Sequence, residues 1–163
     1  MKKLHSILAM LMIIAFALNF TSCSSDDEEG GDINYSYIYG IWEPIYSEGY
    51  NIYEGERNSW SYEVNIETMY EDPENDIEYG RAEFKSDGTV WTYNYRGNGE
   101  WEKNDDYDYF EIKGNKLIEK EADNSYAATR TIVSLTADRM IIEMYYKESD
   151  WELYEKVTSK KVK

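Results

Sequence analysis

The feature that most restricts the fold of this chain is the short spacing between successive turn signals. Between residues 79 and 157, groups rich in glycine, asparagine and aspartate recur about one strand length apart, and such groups favour hairpins. The turn signals are Ser86-Asp87-Gly88, Gly97-Asn98-Gly99, Asn104 to Asp106, Gly114-Asn115, Thr136-Ala137-Asp138 and Glu148 to Asp150. This spacing predicts about eight short antiparallel strands that follow one another in sequence.

The segments between the turns alternate large and polar side chains with a period of two. Tyr35, Tyr37 and Tyr39 alternate in this way before the Ile41-Trp42 pair, and similar alternation follows at residues 60–66 and 91–95. Period two places each set on one face of a strand. Residues 43–78 are less regular and predict two strands, at about 44–53 and 59–67, followed by a loop at residues 71–76. We therefore expect an all-β fold of short antiparallel strands in meander order, either a barrel or a sandwich.

The first part of the chain has the order of a secretory signal peptide. Lys2 and Lys3 give a positive tip, and residues 7–20 form an apolar run in which Asn19 is the polar exception. A membrane-spanning helix needs about 20 apolar residues, so this run is short for a permanent span. Small residues follow it, which favours cleavage after residue 22. The alternative is a buried helix of a cytosolic domain.

Cys23 directly follows this segment and is the one cysteine of the chain. Residues 24–32 are acidic and contain glycine but no large apolar group, so they predict a flexible tether. The expected organisation is a signal peptide at residues 1–22, an acidic tether at 23–33 and a folded domain at 34–163. Cys23 is then either the point of lipid attachment at the mature N-terminus or an unmodified, exposed thiol.

The residue inventory excludes several kinds of chemistry. His5 is the one histidine and lies in the predicted signal peptide, so Ser-His-Asp catalysis and zinc sites of the His/Cys type are excluded from the mature chain. A single cysteine cannot form a disulfide within the chain. The net charge of −16 disfavours nucleic-acid binding, which needs clustered cations. We expect no cofactor.

The acidic runs do not predict a metal site. An EF-hand loop that starts at Asn104 fails, because Tyr109 stands where glycine is required and Asn115 where glutamate is required. With 33 acidic residues in the chain, close carboxylate pairs arise by chance, so we interpret the acids as solvated loop residues.

Several motifs, in order, resemble bacterial lipocalin-like lipoproteins of the Bacteroidetes type. Gly40-Ile41-Trp42 is similar to the G-x-W of the first lipocalin strand, and AEFKSDGTVWTY, with Asp87 and Gly88 at its turn, resembles the hairpin that follows in that group. IVSLTADRMIIEMYY is similar to the S-L-T-x-D-x-M/L hairpin of that group, and WELYEKV is similar to its closing strand. The resemblance covers residues 38–158.

This resemblance implies a lipocalin-like fold, an antiparallel meander barrel of about eight strands. It also implies a lipid on Cys23 and outer-membrane anchoring with display at the cell surface, for which the acids after Cys23 are the signal. Lipocalins usually carry an arginine on the last strand that stacks on the G-x-W tryptophan. Within WELYEKV this chain offers only Lys156 as a cation. A barrel of this kind has room for one small ligand, or is filled by its own side chains.

Aromatic residues are the candidates for ligand binding. They are Trp60, Tyr62, Trp91, Tyr93 and Tyr95. They would line a pocket or a sugar-stacking platform, since aromatic rings stack on flat apolar faces; alternatively, they simply fill the barrel. The sequence thus favours a non-enzymatic surface lipoprotein that binds a small apolar molecule or a glycan. The alternative is a structural or interaction protein with a filled barrel.

Overall fold

The computed structural model describes residues 33–71, 80–121, 123 and 125–162. Cys23, the predicted signal peptide and nearly all of the predicted tether lie outside these residues. The described chain begins with a 3-10 helix, Tyr35–Ile38, and contains one α-helix, α1, Ile66–Glu71. The strands are β1 Gly40–Tyr53, β2 Glu56–Glu63, β3 Arg81–Phe84, β4 Thr89–Gly97, β5 Glu100–Lys113, β6 Lys116–Lys120, β7 Tyr126–Leu135, β8 Arg139–Lys147 and β9 Trp151–Val162.

The strands close into a barrel. Strands β3 to β9 pair with their sequence neighbours, β1 pairs with β3, and β1 also pairs with β9 from Ile41↔Val162 to Tyr53↔Trp151. Every pairing is antiparallel. The closed ring contains eight of the nine strands, because β2 pairs with β1 but is not itself part of the ring. The predicted antiparallel meander barrel is therefore confirmed.

The β1 strand has two neighbours on the same edge. Its first residues pair with β3, and its second half, from Tyr46 to Tyr53, pairs with β2. The β2 and β3 strands therefore diverge, with β3 beside the start of β1 and β2 beside its second half. The helix α1 packs there against β4, with the rings of Tyr70 and Tyr95 edge to face at 5.5 Å.

Three predictions about individual elements are wrong. Residues 35–38 form a 3-10 helix instead of a strand, because the Asn34 side chain accepts a hydrogen bond from the Ser36 amide and caps the turn. The strand predicted at residues 59–67 ends at Glu63 and is followed by α1. The turn predicted at Asn104 to Asp106 lies inside β5, so residues 80–162 form seven strands and not eight.

A bulge explains the missing turn in β5. Trp91 pairs with Tyr107, but Tyr93 pairs with Lys103, so β5 carries extra residues between these two pairs. The Asn104 amide holds the bulge to β4, since Nδ2 donates to Thr92 Oγ1 at 2.6 Å and Oδ1 accepts from Asn94 at 2.9 Å.

The core fills one end of the barrel, which we call the closed end. Its buried side chains come from strands on all sides of the ring and include Trp42, Phe84, Leu117, Ile132 and Met140. Convergence of these residues identifies the inner face of each strand. The 3-10 helix covers this end through the buried Ile38, whose carbonyl accepts a hydrogen bond from the Trp42 indole nitrogen at 2.6 Å.

The cation that stacks on Trp42 is Lys161. The last strand extends beyond WELYEKV to Val162, and Lys161 Nζ lies 5.1 Å from the centre of the Trp42 ring while donating to the Tyr37 carbonyl at 2.9 Å. Gly40 makes room for it, because a Cβ at this position would lie 2.6 Å from Lys161 Cε. Lys156, the cation expected from sequence, pairs with Glu48 instead.

Candidate functional site: the open half of the barrel

The inner face of the barrel differs between its two ends. In the closed half, inward side chains such as Leu117 and Ile132 are fully buried. In the open half, inward side chains keep contact with solvent: Arg130 is 27% exposed and Glu119 21%. We call this open half of the barrel interior the mouth. Its side chains are the part of the interior that a small molecule can reach.

The floor of the mouth carries a chain of polar contacts. The Trp60 indole nitrogen donates to Ser47 Oγ at 3.1 Å, and the Ser47 hydroxyl donates to Glu155 Oε1 at 3.1 Å. Ser47 is fully buried, so both of its hydrogen bonds are sheltered from water. The contacts connect β2, β1 and β9 and fix the position of the Trp60 ring.

Gly49 is required for the placement of Trp60. It lies directly across from Trp60 in the β1–β2 pairing. A Cβ on Gly49 would lie 2.6 Å from Trp60 Cζ2 and 2.2 Å from the backbone oxygen of Tyr154. The absence of a side chain therefore allows the indole to lie flat against the strand.

One cation, Arg130, faces the floor of the mouth. It lies opposite the buried Leu117 and forms an ion pair with Glu119 on β6. Burial lowers the pKa of the Arg130 guanidinium, and the negative charge of Glu155 opposes this shift. An arginine remains protonated under such a shift, so the mouth holds a fixed guanidinium with two carboxylates beside it.

Aromatic side chains form the rim of the mouth. Alternation along β1 and β9 from Ser47 and Val157 places Tyr53 and Trp151, which pair with each other, on the inner face. Tyr146 of β8 joins them, with its ring 5.0 Å from that of Trp151. These three residues are 58%, 37% and 41% exposed in the order Tyr53, Trp151, Tyr146. The mouth therefore has an aromatic rim above a polar floor.

The five aromatic residues predicted from sequence do not form one pocket. Trp60 and Tyr62 lie on the inner face of β2, where Tyr62 is directly across from Ser47. Trp91, Tyr93 and Tyr95 lie on the outer face of β4, because the intervening Val90 belongs to the core and Thr92 and Asn94 share its face. The structure therefore divides the five residues between the inner face of β2 and the outer face of β4.

The outer aromatic residues build a strip on β4 and β5. The Trp91 ring lies 4.9 Å from Tyr107, and Tyr107 lies 5.4 Å from Tyr109. Lys103 Nζ covers the Trp91 ring at 3.4 Å, an arrangement that favours the cation electrostatically. We call Trp91, Lys103, Tyr107 and Tyr109 the outer strip.

Tyr93 and Tyr95 are occupied by neighbouring groups. The Tyr93 hydroxyl donates to Glu83 at 2.7 Å, and burial together with this contact raises the Tyr93 pKa to about 12. Tyr95 is buried; its hydroxyl donates to Glu67 at 3.2 Å and accepts from the Gly99 amide at 2.7 Å. Both tyrosines therefore have structural contacts in the outer wall.

The motif residues Asp87 and Gly88 form the β3–β4 turn. Asp87 Oδ1 accepts hydrogen bonds from the Thr89 amide at 3.0 Å and the Thr89 hydroxyl at 2.7 Å, and these contacts lower the pKa of Asp87. The Gly88 carbonyl accepts from the Phe110 amide at 2.8 Å. The turn is at the closed end, away from the mouth.

Sequence reasoning missed the polar floor of the mouth. Arg130 shares the inner face of β7 with Ile132, and Glu155 occupies an inner position between Leu153 and Val157. A charged residue at an apolar position of a period-two pattern is a signal available from sequence alone. The contacts of Glu155 with Ser47 and of Arg130 with Glu119 cannot be read from the sequence in this way.

The described residues contain no cluster of three or more histidine, cysteine, aspartate or glutamate side chains that fits a metal ion. Within the same residues, no helix has the length and apolar character needed to cross a membrane.

No family model matches the sequence, and no curated protein matches it. Among solved structures, the chain is similar to bovine odorant-binding protein in complex with a selenium-containing odorant, with 16% identity, a TM-score of 0.41, and coverage of 85% of this chain and 78% of that one. A complex of the same protein with undecanal gives 16% identity, a TM-score of 0.41 and coverage of 83% and 78%. The bovine lipocalin allergen Bos d 2 gives 14% identity, a TM-score of 0.38, and coverage of 77% of this chain and 74% of that one. A likeness this distant says nothing about what this chain binds.

Proposed function

We infer that this chain is a non-enzymatic, lipid-anchored binding protein that holds one small, mainly apolar molecule in the mouth of its barrel. The observation that carries this inference is the contrast within the barrel: the closed half is filled by its own side chains, and the open half has accessible aromatic and polar side chains. An apolar body would pack against Tyr53, Tyr146 and Trp151. A polar end of the ligand would meet Arg130 and Glu155 at the floor.

The anchor is the second part of the proposal. Residues 1–22 act as a signal peptide, and Cys23 becomes the first residue of the mature chain and carries the lipid. The mature protein is then held at the outer membrane and exposed at the cell surface. Nine residues lie between Cys23 and Ile33, and an extended chain over these ten residue steps reaches about 35 Å at most. The described chain starts at the closed end, where Ile33 and Tyr35 pack against the core.

Fluorescence titration tests the binding function. A fatty acid, a medium-chain aldehyde and indole are added separately to the protein, and tryptophan emission is recorded. We expect saturable changes for at least one probe and about tenfold weaker binding in Trp151→Ala, because a large aromatic contact is lost. Trp91→Ala is the matched control, since Trp91 lies on the outer face. A flat response to all three probes, or equal effects of both variants, contradicts the proposal.

A second function is favoured by the outer strip. Tyr109 is exposed on the outside of the barrel beside Trp91 and Tyr107, and exposed aromatic clusters mark sites of interaction with other molecules. In this alternative the protein is a surface interaction module, and the mouth is not used. Loss of binding to cells or matrix in Trp91→Ala, with no response in the fluorescence titration, would favour this alternative.

A further inference from the structure

The outer wall of the barrel contains a groove that is separate from the mouth. It forms where residues 63–67, which join the end of β2 to the start of α1, run beside β1. Its volume is about 730 Å³. Pockets that hold small ligands have volumes of about 300–1,000 Å³. The side chains used in the argument below all come from outward positions and line this groove: Glu43, Glu63, Glu67, Arg81, Trp101, Arg139 and Lys160.

The floor of the groove has more positive than negative charge. Glu43 forms ion pairs with both Arg81 and Lys160, each at 2.7 Å. Arg139 lies directly across from Lys160 in the β8–β9 pairing, and no described residue forms an ion pair or hydrogen bond with its guanidinium. Arg81 and Lys160 thus share one carboxylate, and Arg139 adds a third positive charge beside Lys160. Two like charges opposite each other on a sheet repel, and an anion between them would relieve this repulsion.

Two other lining residues of the groove, which we call its wall, carry the opposite charge. They are Glu63 and Glu67, and Glu67 accepts the Tyr95 hydroxyl. Carboxylates that face a groove accept hydrogen bonds from ligand hydroxyl groups. The lining also includes a flat surface, because the Arg81 guanidinium stacks on the Trp101 ring at 3.8 Å.

We propose that this groove binds an acidic sugar, a ligand that carries a carboxylate and several hydroxyl groups. The carboxylate would lie between Arg139 and Lys160 and form charge-assisted hydrogen bonds. The sugar hydroxyls would donate to Glu63 and Glu67. An entirely apolar ligand leaves these charged groups without partners, and a simple anion uses only the floor.

The net charge of the chain opposes an anionic ligand at long range but does not decide the affinity. The chain carries a formal charge of −16. At physiological ionic strength, exposed charges are screened over about 8 Å, so the nearest cations dominate. The proposal therefore predicts that the affinity falls as salt is raised, since the contacts in the groove are themselves partly exposed.

Calorimetric titration of the folded domain tests the proposal with galacturonic acid oligosaccharides and neutral galactose oligosaccharides of equal length. We expect the acidic sugar to bind about tenfold more tightly than the neutral one, and Arg139→Gln and Lys160→Gln each to weaken it about tenfold. Lys113→Gln is the control, because Lys113 is exposed in the β5–β6 hairpin and pairs with Glu111 outside the groove.

Three results would overturn the proposal: no binding of the acidic sugar, equal affinity for the neutral sugar, or unchanged affinity in both groove variants. Loss of sugar binding in Trp151→Ala but not in Arg139→Gln would also overturn it, because the sugar would then occupy the mouth. Thermal unfolding of each variant verifies folding, and the exposed position of Arg139 makes it the safer of the two substitutions.

Discussion

The indole nitrogen of Trp42 donates a hydrogen bond of 2.6 Å to the carbonyl of Ile38, and both residues are buried. This contact holds the 3-10 helix against the closed end of the barrel. Trp42→Phe removes the donor and leaves a buried carbonyl without its partner, which costs about 1–3 kcal/mol of unfolding free energy. Urea denaturation measures the change. Trp91→Phe, on the outer face, should have a clearly smaller effect, and equal effects would contradict this account of the closed end.

The stability of the domain should depend on pH through Glu43. Burial alone would raise the pKa of Glu43, but hydrogen bonds and charges from Lys160 and Arg81 outweigh it and hold this pKa below its ordinary value of 4.5. The charged carboxylate therefore stabilises the fold at neutral pH, and this contribution is lost as pH falls through the lowered pKa. Urea unfolding between about pH 6 and pH 3 should show a steeper loss in the wild type than in Glu43→Gln. Parallel pH profiles would refute the assignment.

At alkaline pH, Tyr154 should make the folded state less stable. Burial and the hydrogen bond to Glu143 raise the Tyr154 pKa from 10.0 to about 12. The unfolded chain loses this proton at lower pH than the folded chain, so the contribution is present below pH 10 and lost as pH rises toward 12. Tyr154→Phe should lose less stability over this interval. Tyrosinate absorbance provides the independent check, since one late-titrating phenol should disappear in the variant.

Gly49→Ala should displace Trp60 and destabilise the β1–β2 hairpin. The new Cβ would meet the Tyr154 backbone oxygen at 2.2 Å, and backbone cannot move away cheaply. Overpacking of this kind costs about 1–3 kcal/mol. Thermal unfolding and tryptophan emission measure the two effects. Ser59→Ala, at an exposed position on the same hairpin, is the control, and an unchanged melting temperature in Gly49→Ala would exclude the proposed close approach.

Cys23→Ala should move the protein from the membrane fraction to the soluble fraction. The lipid attachment proposed for Cys23 predicts this result, because a variant without the attachment residue loses the acyl chains that would hold the protein at the membrane. Cell fractionation followed by immunoblotting measures the distribution. Ser24→Ala, at the next position, should leave the protein with the membrane. Retention of Cys23→Ala in the membrane fraction would contradict lipid attachment at this residue.

The sequence determined the fold class because its signals are local. Turn residues such as Asp87 and Gly88 and the alternation at Trp91, Tyr93 and Tyr95 report backbone conformation within a few residues. The antiparallel meander, the β3–β4 hairpin and the shared face of these aromatic residues follow from such signals. Local signals failed where one side chain changed the outcome, as at the Asn34 cap and the bulge held by Asn104.

Which face of each strand is the inside was decided only by the tertiary structure. A period of two predicts that Trp91 and Tyr95 share one face of β4. It does not say whether that face is the inside or the outside of the barrel. Closure of β1 on β9 sets the choice, since it brings Val90 to the core and turns Trp91 outward. The same closure brings Glu155 to Ser47, residues 108 positions apart, and places Glu43 beside Lys160 at the outer groove. Contacts over such separations depend on the register between distant strands, which no local pattern encodes.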